Sequence, residues 1–152
     1  MKHKNKRPAP LRCHCGSGTV IRKASEIYDH VTNGDEYVIT CARYPACDSY
    51  VGVHRGTLRP KGTLAGGELR HWRIIAHKAF DAIWENNIMS RTGAYHWICD
   101  KFGLDKQHGH IGFFSAYMCE QLIQECVKVL DGNNVPLPSA LSRDKLLTKK
   151  AA

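Results

Sequence analysis

Two close pairs of cysteines constrain this sequence more than any other feature. Cys13 and Cys15 precede a series of strand-like segments, and Cys41 and Cys47 lie further along it. A hairpin between the two pairs would bring four thiolates together, and a tetrahedron of four thiolates is a ligand set that structural Zn²⁺ favours. We therefore predict one structural zinc ion, held by these four cysteines.

The first pair leaves alternatives open. Its spacing is Cys-x-Cys, whereas a typical zinc knuckle is Cys-x2-Cys. The tighter spacing either strains the turn or admits His14 or His3 as a ligand in place of Cys13. Thiols without a metal, including redox-active thiols, are the remaining interpretation. The other three cysteines lie among apolar residues of helical segments and are interpreted as buried thiols: Cys99, Cys119 and Cys126.

The segments around the cysteine pairs have the composition of short strands. β-Branched and aromatic residues dominate four runs, which predict four antiparallel strands. The residues Asn33, Gly34 and Asp35 tolerate the positive φ that a tight hairpin turn requires, so we place a turn between the second and third runs. The four predicted strands cover residues 19–21, 26–28, 36–40 and 49–53.

The sequence becomes helical after Glu68. Apolar residues then recur at spacings of three and four, which predicts a first helix of about five turns. Ser90 and Ser115 are predicted to cap a second and a third helix, and Gly103 and Gly132 to end them. A ribbon this small needs a metal or a partner surface to be stable. The predicted fold is therefore α+β, with an N-terminal four-cysteine zinc ribbon of short antiparallel strands packed on a three-helix C-terminal lobe.

These patterns divide the chain into five parts. We predict a flexible basic arm over residues 1–10, a zinc ribbon over 11–58 and a linker over 59–67, where proline and glycine interrupt the sequence. A three-helix lobe over 68–132 and a basic tail over 133–152 follow. The total of 152 residues has room for one core, or for a modest core with a small module.

The net charge of +8 narrows the choice of partners. Such an excess attracts nucleic acid or another acidic surface, although solvated basic ends would produce the same charge. No apolar run approaches the roughly 20 residues of a membrane-spanning helix. No apolar core of a signal peptide follows the basic start. We therefore expect a cytoplasmic protein without a membrane partner.

Two resemblances extend this interpretation. The stretch with Cys41, Tyr44, Pro45, Cys47 and Asp48 resembles the zinc ribbons at the C-terminal end of bacterial type I topoisomerases. About residues 11–130 resemble a family of small zinc-finger-containing proteins of unknown function from bacteria and their phages, which implies the cytoplasm of a bacterial host. This second resemblance is carried by SEIY at 25–28, YVGVH at 50–54, GTLA at 62–65, ELR at 68–70, AHKAFD at 76–81, MSR at 89–91 and HIG at 110–112.

Catalysis has little support in the sequence. His30, Asn33 and His54 near a cysteine site suggest a metal-dependent nuclease, but such an enzyme needs a histidine base beside a separate catalytic metal. His108 and His110 on a glycine loop are more typical of plain loop residues than of a second metal site. We predict no catalytic residues and no small-molecule substrate, and a nuclease is the third hypothesis.

Binding is the function that remains. Tyrosines lie on the predicted strands, and an exposed ring can stack on an unpaired base, whereas a packed ring cannot. We predict a non-catalytic protein that binds nucleic acid, preferably single-stranded or distorted DNA. The alternative is a small phage or mobile-element protein that binds a host protein and inhibits or redirects it. The predicted nucleic-acid contacts are Arg43, Tyr44, Arg55, Arg59, Lys61, Arg70 and Arg73.

Overall fold

The computed structural model describes residues 10–29 and 37–141, which form an α+β fold as predicted. One compact unit ends at Gly67 and a second begins at Glu68. No helix in the described part of the chain combines the length and the apolarity needed to span a membrane. The elements are the strands β1 (Thr19–Lys23), β2 (Tyr37–Cys41) and β3 (Tyr50–Gly52) and the helices α1 (Gly67–Glu85), α2 (Arg91–Phe102) and α3 (Ala116–Gly132).

The first unit is built on an antiparallel sheet of strand order β1-β2-β3. At its centre, Ile39 of β2 lies opposite Ile21 of β1 and Val51 of β3. Side chains from Val38 to Cys41 are buried on both faces of β2, whereas those of β1 are exposed or half-buried. The middle strand therefore carries the core of this unit.

Residues 26–28, which we predicted as a strand, form a turn instead. The segment Ala24–Glu26 is a 3₁₀ helix, and the N–H of Tyr28 donates to the carbonyl of its first residue at 2.9 Å. The Glu26 carboxylate accepts a hydrogen bond from the N–H of Lys23 at 3.1 Å, which stabilises the turn. The described sheet therefore has three strands rather than four.

The segment 59–67, which we predicted as a linker, adds to the sheet. Ala65 exchanges two backbone hydrogen bonds of 3.1 Å with Tyr50, and the N–H of Lys61 donates to the Gly52 carbonyl at 2.9 Å. Leu64 is buried in the core of the first unit. This segment is therefore an integral part of the ribbon. The predicted hairpin turn at 33–35 lies outside the described residues.

The helices of the second unit start and stop where local chemistry predicts. The hydroxyl oxygen of Ser90 accepts the N–H of Gly93, and that of Ser115 accepts the N–H of Met118. Each serine thus satisfies one of the backbone donors that a helix leaves unpaired at its start. Gly103 follows α2 with a φ of 62°, a left-handed conformation that glycine adopts without steric cost.

A single hydrophobic cluster holds the second unit together. Phe80 of α1, Ile98 of α2 and Leu122 of α3 are fully buried in it. Leu141, in the 3₁₀ helix Ser139–Leu141, is buried in the same cluster. The first part of the predicted basic tail therefore belongs to the helical unit, and its residues 142–152 lie outside the described chain, as do residues 1–9 of the predicted arm.

Candidate metal centre

Four cysteine sulfurs converge in the first unit. The Sγ atoms of Cys13, Cys15, Cys41 and Cys47 all lie within 4.8 Å of one another. The Cys13–Cys47 sulfurs are 3.7 Å apart and the Cys15–Cys41 sulfurs 3.6 Å apart. A tetrahedron of sulfurs at about 2.3 Å from a central zinc has edges of about 3.8 Å. The cluster therefore fits one tetrahedral zinc ion with all four predicted ligands.

The sheet brings the two cysteine pairs together. Cys41 ends β2 and lies opposite Thr19, the first residue of β1. The hydroxyl of Thr19 donates to the Leu11 carbonyl at 2.9 Å, so the chain that carries Cys13 and Cys15 lies beside the start of β1. Strand register and one side-chain hydrogen bond thus position the ligands.

Three of the four sulfurs share one hydrogen-bonding arrangement. In each case the backbone N–H of the residue two positions later donates to the sulfur, and the distance from the Arg43 nitrogen to the Cys41 sulfur is 3.4 Å. Such N–H groups offset the negative charge of a thiolate. A tight knuckle therefore still supplies the backbone donors that a zinc thiolate needs. The donors are Ser17 for Cys15, Arg43 for Cys41 and Ser49 for Cys47.

The pKa values of the clustered thiols show how a bound cation would affect their ionisation. Hydrogen bonds with the side chain and the backbone of Ser17 lower the pKa of Cys15 to about 6, and those with the side chain and the backbone of Ser49 lower the pKa of Cys47. A backbone N–H favours the thiolate of Cys41, but burial and the three neighbouring thiols raise the pKa of Cys41 to about 11. Four thiols this close do not all ionise unaided. A divalent cation bound among them would offset two of their four negative charges and favour the thiolate form of each sulfur.

His14 is the nearest alternative ligand. Its Nδ1 lies 3.6 Å from the sulfur of Cys13. Cys13 itself is 4% exposed, and its sulfur belongs to the compact cluster, so four sulfurs complete the tetrahedron without an imidazole. His3, the other alternative, lies outside the described residues.

Family comparison agrees with this geometry. The sequence profile of a family described as a zinc-finger-containing domain matches residues 9–129. The chain belongs to this family. The predicted membership of a small zinc-finger family and the predicted single structural zinc site are thereby confirmed. No curated protein and no solved structure gives a significant match.

Three of the predicted nucleic-acid contacts lie on one hairpin of this zinc-finger-containing domain. After β3 the chain turns back, and Val53 pairs with Pro60 in an antiparallel bridge. Arg55 and Arg59 are exposed on this hairpin, and Lys61 is exposed directly after it. The hairpin, residues 53–60, and the adjoining Lys61 therefore form a basic projection from the sheet.

The two predicted contacts in the second knuckle differ in accessibility. Arg43 is exposed next to the zinc ligand Cys41. Tyr44 is half-buried, and the guanidinium of Arg22 lies 5.9 Å from the centre of its ring. A base would have to compete with Arg22 for that ring face, so Tyr44 is a poor stacking platform.

The last two predicted contacts lie in α1 of the second unit. Arg73 is 9% exposed, and its Nε donates to the Phe114 carbonyl at 3.0 Å. Burial lowers the pKa of its guanidinium, although the neighbouring Cys119 opposes that shift. Arg73 is thus a structural residue, and we withdraw it from the predicted contacts. Arg70 is half-buried.

A groove in the first unit escaped the sequence analysis. Its volume is about 470 Å³, and the side chains of Ile21, Tyr37 and Leu58 line it together with Arg55. The first three are 49%, 38% and 53% exposed, respectively. The sequence feature that could have indicated this site is Leu58, an apolar residue within an otherwise polar turn.

The histidines do not form a second metal centre in the described part of the chain. His108 instead pairs with Asp105 through Nδ1 and a carboxylate oxygen 2.6 Å apart. Over residues 10–29 and 37–141, the four cysteines are the one group of three or more cysteine, histidine or acidic side chains placed to hold a metal. His30 and Asn33 lie outside these residues. Of the three remaining cysteines, Cys119 and Cys126 are fully buried thiols as predicted. The prediction was wrong for Cys99, which is half-buried and whose sulfur donates to the Asp105 carbonyl at 3.6 Å.

Proposed function

We propose that this zinc-finger-containing domain binds nucleic acid without catalysing a reaction, and that single-stranded or distorted DNA is the preferred ligand. The observation that carries the proposal is the lining of the groove, in which the exposed ring of Tyr37 accompanies the guanidinium of Arg55. Proteins that bind single strands combine aromatic rings, which stack on bases, with cations, which contact phosphates. The groove offers both groups at one site.

The charge of the hairpin supports this proposal. Residues 53–63 include Arg55, Arg59 and Lys61 and no acidic residue. A hydrogen bond of 2.8 Å from the N–H of His54 to the Arg59 carbonyl closes the hairpin that carries the two arginines. Cations on an ordered element contact phosphates at a smaller cost in conformational entropy than cations on a free chain.

Tyr37 replaces Tyr44 as the proposed stacking residue. Its ring is 38% exposed and lines the groove, whereas Tyr44 is half-buried beneath Arg22. A stacked ring contributes roughly 1–3 kcal/mol per base and tolerates any base, because every base has a π face. The proposed recognition is therefore largely independent of sequence.

Titration of a fluorescent single-stranded oligonucleotide at several salt concentrations tests the proposal. Affinity is expected to fall by about 0.7 log units per log unit of salt for each phosphate neutralised. Alanine at Arg55, Arg59 and Lys61 together should flatten this slope by about two phosphate equivalents. Tyr37→Ala should weaken binding by roughly 1–3 kcal/mol and leave the slope unchanged.

Tyr117→Ala is the matched control, because Tyr117 is 69% exposed and lies in the second unit. It should leave both affinity and slope unchanged. An unmodified protein that fails to bind at low salt, or equal losses from the two tyrosine substitutions, would contradict the proposal. Failure to bind nucleic acid would favour the alternative of a protein partner.

A further inference from the structure

The basic hairpin exposes an apolar side chain. Leu58 is 53% exposed and lies in the sequence between Arg55 and Arg59, which are exposed as well. Burial of an apolar side chain is favourable in proportion to the area that leaves water. A partner that covers Leu58 would gain this free energy, and the flanking arginines make an acidic partner the best match.

The turn that carries Leu58 is held by its own hydrogen bonds. The hydroxyl of Thr57 donates to the His54 carbonyl at 2.8 Å and accepts the N–H of Arg59 at 3.1 Å. Gly56 has a φ of 73°, which allows the chain to reverse here without strain. Leu58 is therefore presented on an ordered support, as a side chain that enters another molecule needs to be.

Leu58 also lines the groove that contains Tyr37. An aromatic ring, an exposed aliphatic side chain and a guanidinium thus share one site. Proteins that distort nucleic acid insert apolar side chains between base steps and hold the adjacent phosphates with cations. Stacking energy lost at the opened step is offset by these contacts.

We propose that Leu58 is a wedge that packs against the last base pair of a duplex while the first unpaired base stacks on Tyr37. The ribbon then prefers a junction between duplex and single strand to either form alone. This inference rests on the proposed nucleic-acid binding and names its ligand class. Arg55 and Arg59 contact the phosphates that flank the junction.

Three labelled DNA ligands of one sequence test the inference on the full chain: a single strand, a blunt duplex and a forked duplex. The forked duplex carries 2-aminopurine at its last base pair, since the fluorescence of this base rises when the first unpaired base no longer stacks on it. We expect the tightest binding to the fork and a rise in fluorescence on binding. Leu58→Ala should reduce the preference for the fork over the single strand by about fivefold to tenfold, and should abolish the fluorescence rise.

Ile74→Ala is the matched control, because Ile74 of α1 is an equally exposed aliphatic residue, at 53%. It should change neither signal, and Leu58→Met should retain both. Bound zinc is measured in each variant to confirm that the ribbon is folded. A fork preference and fluorescence rise that survive Leu58→Ala would overturn the wedge.

The wedge and the proposed function fail in distinguishable ways. A protein that binds the single strand as tightly as the fork, with no fluorescence change, overturns the wedge and leaves nucleic-acid binding intact. A protein that binds none of the three ligands overturns both. Equal effects of Leu58→Ala and Ile74→Ala also overturn the wedge, because Ile74 lies outside the hairpin.

Discussion

The two units of this protein are stabilised in different ways. Among the described residues, the core cluster of the ribbon contains six buried residues, and two of these, Cys13 and Cys41, are predicted zinc ligands. The core cluster of the helical unit contains sixteen buried residues in its described part, and none of them is a ligand of the candidate zinc site. Small modules of the first kind obtain folding free energy from metal binding, whereas larger cores obtain it from apolar burial. We therefore expect this one chain to combine a fold that depends on metal with a fold that does not.

Removal of zinc should have the largest effect and tests whether the two units are stabilised separately. Apparent zinc affinities of about 10–16 kcal/mol act as folding free energy in such modules, so Cys41→Ser or a strong chelator should unfold the ribbon. The helical unit should survive. Hydrogen exchange should show loss of protection for β2 and retained protection for α3, with zinc content measured in parallel. Loss of protection in both units would contradict separate stabilisation.

Phe80→Ala tests the stability of the helical unit. Phe80 is fully buried among the helices, and its truncation should destabilise them by about 3–5 kcal/mol through lost burial and a cavity. Bound zinc should stay at one ion per chain. Urea denaturation followed by helical circular dichroism measures the loss. Phe113→Ala is the control, since Phe113 is 41% exposed and should change stability by less than about 0.5 kcal/mol.

Substitution of Arg73 or Arg59 should have smaller effects, which separate a role in stability from a role in DNA binding. Arg73→Ala leaves the buried Phe114 carbonyl without this donor, which should cost roughly 1–3 kcal/mol of stability. It should not weaken DNA binding. Arg59→Ala should weaken DNA binding and leave stability unchanged, because Arg59 is exposed on the basic hairpin. Parallel denaturation and binding titrations measure both properties. Weaker DNA binding by Arg73→Ala, with stability unchanged, would reinstate Arg73 as a contact.

Sequence reasoning succeeded where chemistry is local. Cysteine spacing predicted the metal ligands because thiolates have few other roles at such proximity. Ser90, Ser115 and Gly103 marked helix ends because capping depends on neighbouring backbone groups alone. Membership of the zinc-finger family was predicted from short sequence motifs, which are also local features of the chain.

Sequence-based predictions failed where a side chain bonds to the backbone in place of a strand partner, and where residues from distant segments form one site. The run at 26–28 fits a strand by composition, but the carboxylate of Glu26 accepts the N–H of Lys23 and closes a turn. The groove joins β1, β2 and the hairpin, so no single stretch encodes it. Arg73 was predictable, because it lies three residues before Ala76 and seven before Phe80, both buried on α1.

The outer strand β1 has a consequence for how copies of this protein behave at high concentration. Among the described residues it pairs with β2 alone, and Val20 and Ile21 on it are 41% and 49% exposed. An unpaired strand edge with apolar side chains is a template for edge-to-edge aggregation, and natural proteins oppose it with charged residues. The exposed Lys23 ends this strand, so two copies that approach along this edge bring like charges together. We therefore expect charge repulsion at β1 to oppose edge-to-edge pairing between copies.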